Sequence, residues 1–302
     1  MLRNALALST LTGKPFVIRD IRAKRPEPGL KQQHLMAVRA LGSVTGARYK
    51  GASVGSTEVE FCPGSIKPGK YEIDIGTAGS ITLLLQAFLL PIVVSRQTLS
   101  LRISGGTDVE WSQPWDHFCQ VLLPHIRRQC NLEARLIRRG YYPKGGGLVE
   151  LTFSPKQMIE PIRLERQASL EYVSGISNAS TSLAERRVAE RQGEAAKQAL
   201  DAPVSIETSY SDSLSPGSGI TLIAHFSENQ VLGASALGAR SKTAEAVGRE
   251  AAMQLKEALG LAFHLFKRPF ASFDVTKLWC IVTMNVQVPF TQELYAHPEQ
   301  PD

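Results

Sequence analysis

No Cys-x-x-Cys pair occurs among the four cysteines of this chain (Cys62, Cys119, Cys130 and Cys280), and no His/Cys spacing closes a tetrahedral zinc site. Scattered thiols with apolar neighbours suit a reducing compartment rather than a disulfide framework. No uninterrupted apolar run reaches membrane-spanning length: the longest, LLLQAFLLPIVV (83–94), carries Gln86 and Pro91. The opening MLRNALALSTLTG lacks the charged, apolar and small-residue zones of a signal peptide and reads as an amphipathic helix. An intracellular protein without a membrane partner is expected, nuclear in a eukaryote and cytoplasmic otherwise. Also missing are a Walker loop, a GxGxxG fingerprint and any segment with the composition of disorder.

What is present is a chain of 302 residues with 43% hydrophobic and 21% charged residues, enough for a sizeable core. Its formal net charge of +6 permits a polyanionic partner without demanding one. Helical periodicity alternates with period-2 runs such as PFVIRDI, TLSLRI and GLVELTF, which argues for layered α/β units. A helix–turn–strand grammar recurs at 2–25 and 80–108. A longer version recurs at 29–61 and 114–151, so an internal duplication is expected. Composition shifts near residue 177. There a Ser/Thr-rich cap opens an Ala/Glu/Arg-rich helix (177–200), followed by strands at 203–210, 219–226 and 231–238 and a helix at 242–259. Together they predict a small α/β module of about 80 residues, inserted or appended.

Four stretches carry chemistry. In IRAKRPEPGLKQQHL the strand FVIRDIR hands over through a Pro-Glu-Pro-Gly turn to a helix beginning near Leu30. Beyond the carboxyl ends of strands, and at helix N-termini, free N–H groups and the dipole favour anions. Arg22 and Arg25 suit bidentate binding of phosphate, and Gln33 and His34 lie in the first turn of that helix. A solvated loop and a satisfied core histidine are the competing readings of the arginines and of His34.

In GTAGSITLLLQAFLLP, glycines allow close backbone approach, Ser80 is a plausible N-cap, and Gln86 is the lone strongly polar group of an apolar helix. An unanswered buried amide costs on the order of 1–3 kcal/mol, so a structural partner or a ligand must meet it. SGGTD ends a strand and sends Asp108 toward the layer of Arg22. RRGYYPKGGG interleaves Arg138, Arg139 and Lys144 with Tyr141 and Tyr142, the mix that tracks a nucleic-acid backbone and stacks bases; a glycine-rich hairpin with tyrosines packed on the sheet is the alternative.

In this order and spacing, IRAKRPEPGLKQQHL, TAGSITLLLQ, SGGTD and RRGYYPKGGG resemble the RNA 3′-terminal phosphate cyclase family, from Met1 to about Leu259. The resemblance implies an α/β fold with a large domain of repeated ββαβα-type units (1–176 and 260–302) and a smaller inserted α/β domain (177–259). It implies ATP, with Mg2+ or Mn2+, acting on RNA 3′-ends. A histidine takes AMP from ATP, AMP passes to the RNA 3′-phosphate, and the ribose 2′-OH displaces it to close a 2′,3′-cyclic phosphate. By the same analogy Gln86 contacts the adenylate. Arg3, Arg22, Arg25, Gln33 and His34 line the phosphate site, and Asp108, Phe118, Arg139 and Tyr142 lie along the phosphate and RNA path.

Two departures from the family pattern stand out. The chain begins after the family's Gly-rich loop, and GLAFHLFKRPFASFDVTKLWCIVTMNVQVPF replaces its closing catalytic segment. His264 and His297 lack the family context, so the nucleophile is unassigned, no residue is given to metal, and a shortened form is expected. Two rivals remain: a non-catalytic cyclase-like RNA-binding protein of ribosome assembly and, more weakly, an enolpyruvyl-type transferase.

Overall fold

The computed structural model describes residues 1–157 and 168–265, the last five of these by their backbone only. Helix α1 (Leu2–Thr12) leads into β1 (Phe16–Ile18), and α2 (Gln32–Thr45) into β2 (Arg48–Lys50) and β3 (Val59–Cys62). These strands form an antiparallel sheet ordered β1-β3-β2. The strand read as FVIRDIR stops at Ile18, because Asp20 and Arg22 adopt left-handed backbone (φ 54° and 57°) that no strand continues through. Helix α2 starts at Gln32 rather than Leu30, whose side chain is wholly buried in the core.

Strand β4 (Gly69–Asp74), helix α3 (Ile81–Ser95) and strand β5 (Leu99–Gly105) make a parallel β–α–β unit. Then come α4 (Trp115–His117), a π-turn (Phe118–Leu122) and α5 (Leu123–Arg127), followed by β6 (Cys130–Arg138) and β7 (Gly147–Pro155). The mixed sheet runs β4-β5-β7-β6. Every residue of α3 from Ile81 to Val93 is buried, which explains why its sequence is apolar on all sides: α1 and α2 cover one flank and the sheet the other.

A second mixed sheet, ordered β11-β10-β8-β9, joins β8 (Leu170–Ser180), β9 (Val204–Ser211), β10 (Ser218–Phe226) and β11 (Gln230–Leu237). It is covered by α6 (Val188–Ala199) and α7 (Ala244–Leu265). Residues 177–180, expected to cap a helix, belong instead to β8, where Ser177 Oγ donates to the Ala189 carbonyl at 2.7 Å. The chain is therefore mixed α/β. Among the described residues, buried apolar side chains form two clusters, one drawn from residues 2–153 and one from 173–255. The expected reading of the tail beyond Leu265 lies outside the described residues.

Candidate functional site

At the carboxyl ends of the parallel strands β4 and β5, the loops that follow them are interlocked. Gly106 N–H donates to the Gly79 carbonyl at 2.8 Å and Ile81 N–H to the Gly106 carbonyl at 2.9 Å. A Cβ on Gly106 would stand 2.6 Å from the Ala78 carbonyl oxygen, so only glycine permits this approach. Gly145, with φ 66°, brings the 141–147 loop against the same segment: its absent Cβ would lie 2.3 Å from the Thr77 carbonyl oxygen. On the other side, Gln32 at the start of α2 reaches to within 3.8 Å of the position a Cβ on Gly76 would occupy. Three of the four motifs thus share a seam, and the fourth contributes the N-terminus of α2.

Cations gather at that end. His34 sits in the first turn of α2, with its pKa held below the usual 6.5 by burial, then by the charges of Arg3, Arg22 and the chain amino group. Its Nδ1 accepts from the Lys31 backbone N–H at 3.1 Å. The neutral ring therefore carries its hydrogen on Nε2, which remains available as a donor. Burial lowers the pKa of Arg3, and its buried Nε has no hydrogen-bond partner among the described residues. Arg22 Nη1 donates to the carbonyls of Glu27 (2.8 Å) and Gly29 (3.3 Å), so its own turn holds the guanidinium in place. Like charges this close repel, and a partly buried guanidinium atom without an acceptor is costly; an anion relieves both.

Gln86 projects from α3, which packs against both α1 and α2, and its buried Nε2 lacks a partner among the described residues. One helical turn earlier, Thr82 Oγ1 donates to the Gln113 carbonyl at 2.7 Å. The Gln113 side-chain amide is buried with neither of its polar atoms bonded among the described residues.

Between the two apolar clusters lies a buried ionic network. Arg139 bridges Asp108 (3.1 Å) and Asp116 (2.7 Å), with the Asp108 side chain fully buried. Asn178 of β8 donates to Asp116 at 3.1 Å and accepts from the Tyr141 hydroxyl at 2.7 Å. Burial raises the Asp116 pKa while Arg139 opposes that shift, and burial above all pushes the Tyr141 hydroxyl well up. Both carboxylates hold Arg139 strongly protonated against the opposing effect of burial.

The structure brings Arg3 and Arg22 close to His34 and carries Gln86 on α3, which packs against α1 and α2. Arg25 is exposed and Gln33 half-buried in the first turn of α2, while Tyr142 stands 75% exposed. Asp108 and Arg139 satisfy one another inside the protein, and Phe118 is a core residue stacked on Trp115 at 5.6 Å between ring centroids. Sequence reasoning missed Gln113 and the partners Asp116 and Asn178. The last two were hidden because sequence separations of 23 and 62 residues leave no local signal. His297 and the side chain of His264 lie outside the described residues. No cluster of three or more metal-ligating side chains forms among the described residues, and the site is cationic, so these residues do not fit a protein-held metal.

A family model described as "RTC: RNA 3'-terminal phosphate cyclase" matches residues 1–282. Proteins named RNA 3'-terminal phosphate cyclase are similar to the chain. That of Pyrococcus furiosus is 46% identical over 84% of this chain and 75% of its own length. That of Thermococcus kodakarensis is 48% identical over 86% and 76%, and that of Pyrococcus abyssi 42% identical over 94% and 85%.

Proposed function

Since the chain belongs to the RNA 3′-terminal phosphate cyclase family, we propose that it converts an RNA 3′-phosphate to a 2′,3′-cyclic phosphate at the expense of ATP. The supporting observations are the cationic N-terminal ends of α1 and α2, where the buried Arg3 Nε lacks a partner among the described residues, and the Nε2 of Gln86 on α3, buried and likewise unpartnered among them. Phosphate oxygens are the acceptors that answer such donors. The large domain would comprise 1–176 and 260–302, built from repeated ββαβα-type units, with 177–259 as the inserted smaller domain.

The chemistry follows from the leaving group. A terminal phosphate monoester has none that the vicinal 2′-OH can displace. Transfer of AMP from ATP onto that phosphate, with loss of pyrophosphate, supplies one. Attack by the 2′-oxygen on phosphorus then closes the five-membered ring and expels AMP, while the hydroxyl proton goes to solvent or a nearby base. Arg3 and Arg22 would offset the charge of the adjoining phosphates, His34 would donate from Nε2, and Gln86 would bond the adenylate. Gln33 and Arg25 would extend the phosphate contacts, and Asp108, Phe118 and Arg139 would shape the wall behind them. Tyr142 would meet the RNA. Mg2+ or Mn2+ would arrive with the phosphates of the nucleotide, since no described cluster holds it.

Incubation with labelled ATP and a 3′-phosphorylated oligonucleotide tests this reading. Cyclic ends and acid-labile protein-bound AMP are expected; RNA binding with neither product would favour a non-catalytic, cyclase-like RNA-binding role.

A further inference from the structure

Trp111 and Tyr142 are the two most exposed aromatic side chains among the described residues, at 74% and 75%. A single exposed aromatic needs no explanation. These two stand on adjoining loops, because Asp108 and Tyr141 form a parallel backbone bridge. Trp111 lies three residues beyond that bridge, at most about 11 Å along the chain, and Tyr142 is the next residue after it.

Neither ring is held out by a loose loop. Around Trp111 the chain is anchored by buried Thr107, Asp108 and Val109 on one side and by Gln113 and Trp115 on the other. Ser112 Oγ closes the turn by donating to the Val109 carbonyl at 2.8 Å, and Trp111 itself takes left-handed backbone, φ 64°. A bulky side chain is strained in that conformation. The surroundings thus impose a costly conformation that leaves an indole in water. Tyr142 follows the buried Tyr141 in a turn closed by Gly145 N–H donating to the Tyr141 carbonyl at 2.8 Å. The cation Arg138 precedes that turn and Lys144 lies within it, both exposed, with Arg138 Nε tied to the Gly146 carbonyl at 2.6 Å.

We propose that Trp111 and Tyr142 form a stacking platform for the bases of single-stranded RNA immediately preceding its 3′-terminal nucleotide. This deepens the cyclase reading and rests on it for the direction of the strand. Continuity supports it: the 141–147 loop abuts Thr77 and Ala78, which belong to the same seam as the N-terminus of α2 where the cations gather. Aromatic stacking accepts every base through its π-face, and the neighbouring cations follow the backbone, so the platform binds RNA of any sequence. Length, not base identity, is what it reads.

The test compares a uridine hexanucleotide ending in 3′-phosphate, the same hexanucleotide ending in 3′-hydroxyl, and uridine 3′-monophosphate. Trp111→Ala and Tyr142→Ala should each weaken both hexanucleotides by roughly 5- to 100-fold, the size of one lost base–aromatic stack. Binding of the mononucleotide should change by less than about two-fold, and Trp111→Phe should recover most of the loss. Unchanged hexanucleotide affinity in either alanine variant, or an equal loss for the mononucleotide, overturns the platform. Failure of the cyclase reading is read separately, as a wild-type protein that forms neither bound AMP nor cyclic ends. The hydroxyl-ended arm still reports on stacking in that event.

Discussion

The backbone N–H of Lys31 donates to Nδ1 of His34 at 3.1 Å, so the first turn of α2 is closed by the same imidazole that faces Arg3 and Arg22. Protonation would turn Nδ1 into a donor opposed to that N–H, in addition to the cation repulsion that already depresses the pKa. Removing the ring should therefore cost both stability and phosphate affinity. His34→Ala is expected to lower unfolding free energy by about 1 kcal/mol and to weaken binding of 3′-phosphorylated RNA by a further ~1.5–3 kcal/mol. His34→Gln, whose amide oxygen reaches back to the cap, should recover the stability. Chemical denaturation alongside RNA titration separates the two effects; a His34→Ala protein as stable as wild type would remove the capping role.

Arg139 neutralises two buried carboxylates for which no other ion pair is seen among the described residues. Arg139→Leu should destabilise the protein by about 3–5 kcal/mol, because Asp108 and Asp116 are left unpaired away from water. The surface pair Arg102–Glu150, with Arg102 exposed and Glu150 half-buried, serves as the control: Arg102→Leu should cost less than about 1 kcal/mol. Equal losses in urea melts would mean that the buried network contributes nothing special.

His117 is buried with Nδ1 2.9 Å from Ser235 Oγ, and burial lowers its pKa from 6.5 to about 4. Between those values the unfolded chain binds a proton that the folded protein refuses. Stability is therefore complete above pH 6.5 and declines as pH falls toward 4, by about 3 kcal/mol from this group. His117→Gln should flatten that part of the stability–pH curve relative to wild type. An unchanged slope would show that His117 does not drive it.

Gly145 combines φ 66° with backbone contact on Thr77, whereas Gly55 has φ 82° and open space where a Cβ would go. Both Gly→Ala changes pay conformational strain on the order of 1 kcal/mol. Only Gly145→Ala should also displace the 141–147 loop and reduce ATP affinity, read by nucleotide titration. Equal ATP affinity in the two variants would detach that loop from the nucleotide site.

What could be read from sequence followed the local signals. Helix α3 announced its burial because thirteen consecutive buried positions leave no room for charge, and Gln86 stood out against that background. The glycine motifs were legible because close approach demands the residue itself. Arg139 stands in a basic, aromatic stretch that points to a nucleic-acid backbone, whereas its carboxylates come from residues 31 and 23 positions away, which no local signal marks. The strand through Asp20 and Arg22 was overextended because left-handed backbone at non-glycine residues has no sequence mark. Ser177 and Asn178 looked like cap residues, and tertiary hydrogen bonds to Ala189 and Asp116 hold them in a strand instead.

The cationic end of α1 and α2 is most directly tested as a terminal-phosphate site by comparing one oligonucleotide with a 3′-phosphate and with a 3′-hydroxyl, in wild type and in Arg22→Ala. The wild type should prefer the phosphate by at least about ten-fold, and Arg22→Ala should lose about 1–3 kcal/mol of binding to the phosphate form alone, narrowing the gap. Equal affinity of the wild-type protein for the two ends would contradict the account.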